Sequence, residues 1–396
     1  MALATAAIGV AAWSPFGSSD KVTLGAVVPV TGPLANSGRY YRDAYQFAID
    51  TINAKGGVKV GDKQYQLALA LRDNKSDPKR GLRQHERMLT RKAADFLLGP
   101  YSSSEVLAAA PLAEQQQVPM IQAGGASSRI FARGSKYVFG TLPAAEDYFR
   151  STIQMLGQLA PKAETVAFVS GNNAFDLAVS EGTLPLLKEA GLEVVLHQQY
   201  SEATPNFYNI LTLFASRAPD VLLWSGHEPN AVRFIREARS RNIHPKLFAS
   251  FTVGVTNANF TATLGKDAND VFGMTPWLPS ERLKDRWFGD AVQFASAYEK
   301  KFRYPPDYHA AAAVASVEAY AIAIEAAGSL DRKAVRDAIA KLDFESLYGR
   351  VRFGENGQIV MPLTVVQVQD GKLVEVFTDA FVNRPIYPAP PWDKRS

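Results

Sequence analysis

The chain has 396 residues, of which 47% are hydrophobic and 21% are charged, enough to fill two hydrophobic cores of ordinary domain size. Its 43 basic and 39 acidic residues are interspersed and leave a net charge of only +4, which argues against a nucleic-acid partner. Because the chain has no cysteine, thiolate catalysis, cysteine-ligated zinc and disulfide bonds are excluded.

A short apolar segment, Ala2–Ala12, is followed by the polar residues Ser14–Asp20. Small apolar residues before a polar boundary are typical of a secretory signal, and this segment is too short to cross a bilayer. The basic residues that normally come first are missing. We interpret residues 1–19 as a residual export signal, with a plain disordered terminus as the alternative.

From Lys21 onward, strand patterns alternate with helical patterns, which indicates parallel sheets covered by helices. A first series ends near Thr141 and a second near Ser250. Two series of this size predict two lobes of the α/β class. The chain then continues with two long helical patterns at Glu281–Phe302 and Tyr308–Ala327.

The sequence motifs that mark the common enzymes of this fold class are missing. The chain contains no glycine-rich dinucleotide loop, Walker loop, nucleophile elbow or zinc-binding helix motif. The histidines are dispersed without metal-ligand spacing, at His85, His197, His227, His244 and His309. We therefore expect a protein that binds without catalysis, metal or cofactor.

Two loops rich in serine and small residues follow neighbouring predicted strands. Ser102, Ser103 and Ser104 precede an alanine-rich helix, and residues 123–128 follow the next strand. One interpretation is a capping box, in which Ser102 and Glu105 satisfy the first amides of the helix. The other is a carboxylate site, because both loops would border one crevice with free amides, hydroxyls and the positive end of a helix dipole. The two can hold together.

Six segments of the chain share their order and spacing with a known family: Pro29–Ala35, Ala48–Val58, Asp73–Pro78, Gly99–Ser104, Val118–Ser128 and Tyr348–Gly357. They resemble the bacterial type I periplasmic solute-binding proteins of ABC transporters, in the family that includes the leucine/isoleucine/valine receptor. The similarity extends from Lys21 to Phe377. It implies two Rossmann-like lobes with parallel sheets, joined by three hinge crossings and closing around a ligand.

The resemblance also implies how the chain divides and where the protein works. Each lobe would be built from two segments: residues 20–143 and 276–352 for lobe one, and residues 144–275 and 353–396 for lobe two. The protein would be exported to the periplasm as a monomer. Its partners would be a small-molecule ligand and an ABC permease in the inner membrane.

In lobe one, the resemblance implies a binding site made by the two serine loops. Ser102 and Ser127 match positions whose side chains hold the carboxylate of an amino acid, and Ala126 matches a backbone contact. Their neighbours Tyr101 and Ser103 are included as ligand-binding residues. All five would lie at the carboxyl ends of adjacent parallel strands.

Lobe two departs from the amino-acid receptors of this family, which place an acidic residue after a strand to meet the ligand's ammonium group. Phe251 occupies the matching position here, and a buried ammonium without a carboxylate is costly. Phe175, Trp224 and Phe251 could form an apolar wall, with His227 offering a hydrogen bond or partial positive charge. The alternative for these aromatic residues is a place in the core.

Near the first helix, Ser37 and Tyr40 flank the predicted cleft, where a tyrosine can stack on a ligand or simply cover the helix start. A carboxylate site facing an aromatic lobe favours a small organic acid, aromatic or branched aliphatic. We expect the solute-binding subunit of an ABC uptake transporter, which captures such an acid by hinge closure. The alternatives are an amino acid or amide receptor and the ligand-sensing domain of a signalling system.

Overall fold

The computed structural model describes residues 20–132 and 134–395, so the predicted export signal at residues 1–19 lies outside the described residues. Among these residues, strands and helices alternate through two large sheets, and the α/β fold class predicted from the sequence is confirmed. The sheets belong to two lobes, and the ligand cavity described below lies between them.

The first sheet is mostly parallel and, over the described residues, has the strand order β2-β3-β1-β4-β5-β6. Its strands are β1 (Lys21–Val28), β2 (Val58–Val60), β3 (Lys63–Asp73), β4 (Phe96–Leu98), β5 (Met120–Gln122) and β6 (Val138–Gly140). Only the β2–β3 pair in this sheet is antiparallel. Strands β4, β5 and β6 are buried at every position because helices cover both faces of the sheet.

The second sheet follows the same principle, with the order β17-β16-β11-β10-β9-β7-β8 in the described part of the chain. The remaining strands in chain order are β7 (Thr165–Gly171), β8 (Glu193–Tyr200), β9 (Val221–Ser225), β10 (Phe248–Phe251), β11 (Phe272–Thr275), β12 (Lys284–Asp285), β13 (Gly289–Asp290), β14 (Asp343–Ser346), β15 (Gly349–Arg352), β16 (Thr364–Gln369) and β17 (Lys372–Phe377). Strands β16 and β17 add an antiparallel hairpin at the edge. The pairs β12–β13 and β14–β15 form separate ribbons.

Helices connect the strands and cover both sheets. They are α1 (Ala35–Ala54), α2 (Pro78–Thr90), α3 (Ser103–Gln115), α4 (Arg150–Leu156), α5 (Ala174–Glu189), α6 (Tyr208–Arg217), α7 (Glu228–Ser240), α8 (Ala258–Leu264), α9 (Ala291–Phe302), α10 (Tyr308–Ala327) and α11 (Arg332–Ile339). Helix α10, among the described residues, is the one long and apolar enough to span a membrane, but most of it is buried inside the protein. It is therefore a core helix.

A single hydroxyl anchors α10 to the first sheet. The Tyr320 hydroxyl lies 2.7 Å from the carbonyl oxygens of both Leu97 and Pro119 and accepts a hydrogen bond from the Ile121 amide. These groups belong to β4, β5 and the loop before β5. The late helix thereby completes the lobe that the first strands begin.

The predicted helix Glu281–Phe302 is wrong over its first ten residues, since α9 begins at Ala291. Residues before it form the β12–β13 ribbon, in which Asp285 Oδ1 accepts from the amides of Trp287 and Phe288 at 2.7 Å each. Gly289 then adopts φ +88°, a left-handed conformation that breaks the helical path.

The chain passes between the sheets three times: after Gly140, after Thr275 and before Thr364. The third passage runs along the first sheet, because Gly140 pairs with Gln358. The side-chain amide of Gln358 also donates to the carbonyl of Ala126 at 3.1 Å, inside the second serine loop. The lobe boundaries inferred from the sequence stay a prediction.

Replacing Tyr320 with phenylalanine should lower the free energy of unfolding by about 0.5–1.5 kcal/mol, because the buried hydrogen bond from its hydroxyl to the carbonyl oxygens of Leu97 and Pro119 would be lost. Urea unfolding followed by circular dichroism measures the change. Tyr208→Phe, at an exposed tyrosine, is the matched control and should have no effect. Equal stability of Tyr320→Phe and the wild type would show that this hydroxyl does not hold the helix.

Candidate functional site

A small cavity of about 10 Å³, room for about one water molecule, lies between the two lobes in this closed arrangement. It lies at the carboxyl ends of strands from both sheets, where open α/β sheets bind ligands. The lining residues are Tyr101, Ser102, Ser103, Gly124, Ala126, Leu142, Tyr148, Phe175, His227, Val253, Tyr308 and His309.

Helix α3 begins at this cavity, with Ser102 at its N-cap position as predicted. The Ser102 side chain makes no capping hydrogen bond. Within the described residues, the amides of Ser103 and Ser104 have no hydrogen-bond acceptor. Unpaired amides in the first turn of a helix, together with the helix dipole, form a binding site for an anion.

The predicted capping box is wrong, because neither of its side chains caps the helix. The Glu105 carboxyl instead accepts a hydrogen bond from the Asn74 side chain, which the loop after β3 brings over the start of α3. Burial raises the pKa of Glu105 to about 8, against the opposing effect of the Asn74 hydrogen bond. Glu105 thus holds the loop in place and leaves the amides of α3 free.

The two serine loops are joined directly. Ser103 Oγ accepts from the amides of Ala126 at 3.0 Å and Ser127 at 3.3 Å. The loops approach so closely that a Cβ on Gly124 would lie 2.2 Å from the carbonyl oxygen of Pro100. Ala126, predicted as a backbone contact, lines the cavity, but its amide is bonded to Ser103 within the protein. Ser127, predicted as a side-chain donor, is not among the lining residues, and its hydroxyl is buried without a partner in the described part of the chain.

Lobe two presents His227, at the N-cap position of α7, to the cavity. Its Nδ1 lies 2.6 Å from Glu202 Oε1. Burial by itself would lower the pKa of His227, but the hydrogen bond and negative charge of Glu202, with the charge of Asp176, raise it above its ordinary value. The same contact lowers the pKa of Glu202 in spite of its partial burial. The contact with Glu202 thus favours the protonated form of His227 at the cleft.

Asp176 is a second acid in this part of lobe two, fully buried in the first turn of α5. It accepts from Ser225 Oγ at 2.5 Å and from Asn173 Nδ2 at 2.6 Å. Burial raises the pKa of Asp176 to about 6, although His227 and the Ser225 hydrogen bond lower it. Both acids near the cleft are therefore bonded to protein groups, and neither lines the cavity.

The structure places two of the three predicted aromatic wall residues away from the cavity. Trp224 and Phe251 lie in the core of lobe two, with ring centroids 5.2 Å apart. Trp224 also stacks on Tyr200 at 5.5 Å. Phe175 does line the cavity, where its ring meets the edge of Tyr148 at 5.1 Å. For Trp224 and Phe251, the alternative of a core position applies.

Ser37 and Tyr40 also lie outside the cavity lining, on the buried face of α1. The Tyr40 hydroxyl accepts from the Ala258 amide at 3.2 Å and lies 3.4 Å from Asn257 Oδ1, so it bridges the two lobes. Ser37 lies beside the Tyr101 hydroxyl, which is buried without a hydrogen bond of good geometry. Both residues thus pack behind the cavity lining and do not line the cavity themselves.

Sequence reasoning missed Tyr148, Tyr308 and His309, which line the cavity, and Glu202, which pairs with His227. His309 Nδ1 lies 2.8 Å from Asp307, the N-cap residue of α10. An aspartate before a long apolar pattern signals a helix start. Nothing local indicates that this helix start, some 200 residues after Tyr101, contacts the same cavity.

Two α/β lobes that enclose a cavity at the carboxyl ends of their sheets define a two-lobed solute-binding protein. The sequence profile of the family described as "Periplasmic binding protein" matches residues 21–372, and the chain belongs to this family. It is 26% identical over 377 residues to Leu/Ile/Val-binding protein homolog 7 of Brucella suis biovar 1 (strain 1330). That alignment covers 92% of this chain and 93% of the relative.

Solved structures share the fold. The branched-chain amino acid transporter substrate-binding protein LivJ of Streptococcus pneumoniae, in complex with isoleucine, is 22% identical with a TM-score of 0.78, covering 90% of this chain and 99% of that one. An ABC transporter solute-binding protein of R. palustris, in complex with benzoate, is 18% identical with a TM-score of 0.79, covering 92% and 99%.

The family consists of extracytoplasmic solute receptors of ABC transporters, so this protein binds a small molecule and is not an enzyme. The interpretation as an ABC transporter substrate-binding protein is confirmed at this level. The resemblance to the leucine/isoleucine/valine receptors is confirmed as well.

Replacing Glu202 with glutamine should lower the pKa of His227, because the charge that stabilises the imidazolium is removed. Histidine-ring NMR titration measures this pKa. Since its folded pKa lies above the unfolded value, His227 stabilises the protein at low pH, and this contribution is lost as pH rises through the folded pKa. Glu181→Gln, in an exposed ion pair with Arg129, is the control. An unchanged His227 titration in Glu202→Gln would contradict the assignment.

Proposed function

We propose that this protein captures a small organic carboxylate, aromatic or branched aliphatic, and delivers it to an ABC permease. The observation that carries the proposal is the chemistry of the cavity lining. Hydroxyl groups, helix amides and His227, whose pKa is raised by Glu202, border the cavity, and none of its described lining residues is acidic. Such a lining favours an anion.

The carboxylate end of the solute would bind where α3 begins. The free amides of Ser103 and Ser104 and the Ser102 side chain lie at this point, with the Ser127 hydroxyl next to it. A buried hydroxyl without a partner costs about 1–3 kcal/mol. A carboxylate oxygen would relieve that cost and accept hydrogen bonds from the helix start.

The rest of the solute would pack against the apolar part of the lining. Tyr148, Phe175 and Tyr308 contribute rings there, and Leu142 and Val253 contribute aliphatic groups. Aromatic side chains suit the flat ring of an aromatic acid, and aliphatic ones suit a branched chain. The benzoate complex of the R. palustris protein with the same fold supports this choice.

A branched-chain amino acid is the second candidate, favoured by the isoleucine complex of the S. pneumoniae protein. An amino acid brings an ammonium group that needs a carboxylate partner when buried. Glu202 and Asp176 of lobe two and Asp307 of lobe one are acids near the cleft, and all three already bond to protein groups. The pairing of these acids is the reason for preferring a carboxylate without an ammonium group.

Capture would proceed by closure of the lobes. A solute docked on the serine loops of lobe one would favour the closed form, in which Tyr40 contacts Asn257 and Ala258. Asn36 and Glu228 form a second contact of this kind, with Nδ2 and Oε2 separated by 3.4 Å. A permease would recognise the closed form of a monomer.

Isothermal titration calorimetry should detect binding of benzoate or 3-methylbutanoate but not of benzamide. Ser127→Ala should weaken carboxylate binding about 10-fold or more, because a hydrogen bond to a charged group contributes roughly 1.5–3 kcal/mol. Ser216→Ala, at an exposed serine, is the control. Binding restricted to α-amino acids such as leucine or isoleucine would overturn the proposal.

Tyr40→Phe should weaken binding of every solute by one common factor of about 3–10, because it removes contacts of the closed form and touches no ligand. Calorimetry with two solutes of different size measures this factor, and Tyr208→Phe again serves as control. A change confined to one solute would instead place Tyr40 in the ligand site.

A further inference from the structure

Two histidine–carboxylate pairs, one on each lobe, meet at the same tyrosine. In lobe two, His227 Nδ1 lies 2.6 Å from Glu202, and in lobe one, His309 Nδ1 lies 2.8 Å from Asp307. Their ring centroids lie 5.5 and 5.6 Å from that of Tyr101, each nearly perpendicular to it. Both histidines line the cavity.

Each ring has one nitrogen left for a ligand. His227 and His309 are 3% and 2% exposed, and within the described residues neither Nε2 atom has a hydrogen-bond partner. Because each Nδ1 faces a carboxylate, it holds a proton, so Nε2 donates in a charged ring and accepts in a neutral ring. A hydroxyl group can serve either nitrogen, because it both donates and accepts.

We propose that these two histidines bind a second oxygen group on the captured solute, which is therefore a hydroxy-substituted carboxylic acid. This inference rests on the proposed function, which assigns the carboxylate to the serine loops. A second carboxylate fits less well, because Glu202 and Asp307 place negative charge directly behind the rings. The specificity of the site then depends on one side chain from each lobe.

Calorimetry with matched pairs of acids tests the inference. The pairs are benzoate with its three monohydroxy derivatives, and 3-methylbutanoate with 2-hydroxy-3-methylbutanoate. In the wild type, at least one hydroxy acid should bind about 10-fold or more tightly than its parent. His309→Phe keeps a ring against Tyr101 but removes Nε2. It should weaken binding of the hydroxy acid about 10-fold more than binding of its parent acid, and so erase the preference.

His197→Phe, at a histidine stacked on Phe168 outside the cavity lining, is the matched control and should keep the preference. If His309→Phe fails to fold, His227→Gln replaces it in the same comparison. If all parent and hydroxy acids bind with equal affinity, or if His309→Phe weakens binding of both acids of a pair equally, this inference is wrong and the proposed function stands. If no acid of either pair binds, the proposed function falls with it.

Discussion

The closed cleft depends on polar atoms that the protein buries without pairing. The Ser127 and Tyr101 hydroxyls are buried without partners among the described residues, and the first amides of α3 and one nitrogen each of His227 and His309 border the cavity without partners there. Each such atom costs about 1–3 kcal/mol when it is removed from water. Closure around an empty cavity is therefore disfavoured. A solute that supplies the missing partners turns this cost into affinity, so that binding and closure are one event.

Local sequence signals predicted the fold and half of the site. The strand and helix patterns depend on residues that are close together in the sequence. A serine between a buried strand and an alanine-rich helix marks a helix start. Glu202, Tyr308 and His309 carry no comparable signal, because only the three passages between the sheets bring them to the cavity. The prediction that Trp224 lines the cavity was wrong for another reason. Strands covered on both faces are apolar throughout, so the sequence does not show which face meets the cleft.

The phenylalanine at position 251 suggested that the second lobe is poor in acidic residues, but the structure shows two of them near the cleft. Glu202 and Asp176 both lie near the cleft. His227 pairs with Glu202 and lowers its pKa, and the charge of His227 also lowers the pKa of Asp176 against the effect of burial. An ammonium group would have to displace this imidazolium to reach a carboxylate. These acids are thus paired within the lobe, and His227, whose pKa is raised by them, is the group that faces the solute.

The position of His227 connects this charge balance with closure. Its ring meets Tyr101 of the opposite lobe, so closing the lobes removes the imidazolium from water. The hydrogen bond to Glu202 offsets part of that desolvation, since a buried charge is tolerated only when it is paired. An anionic solute in the same cavity adds a second countercharge, and a neutral analogue adds none. The contact that closes the cleft therefore also selects for the charge of the solute.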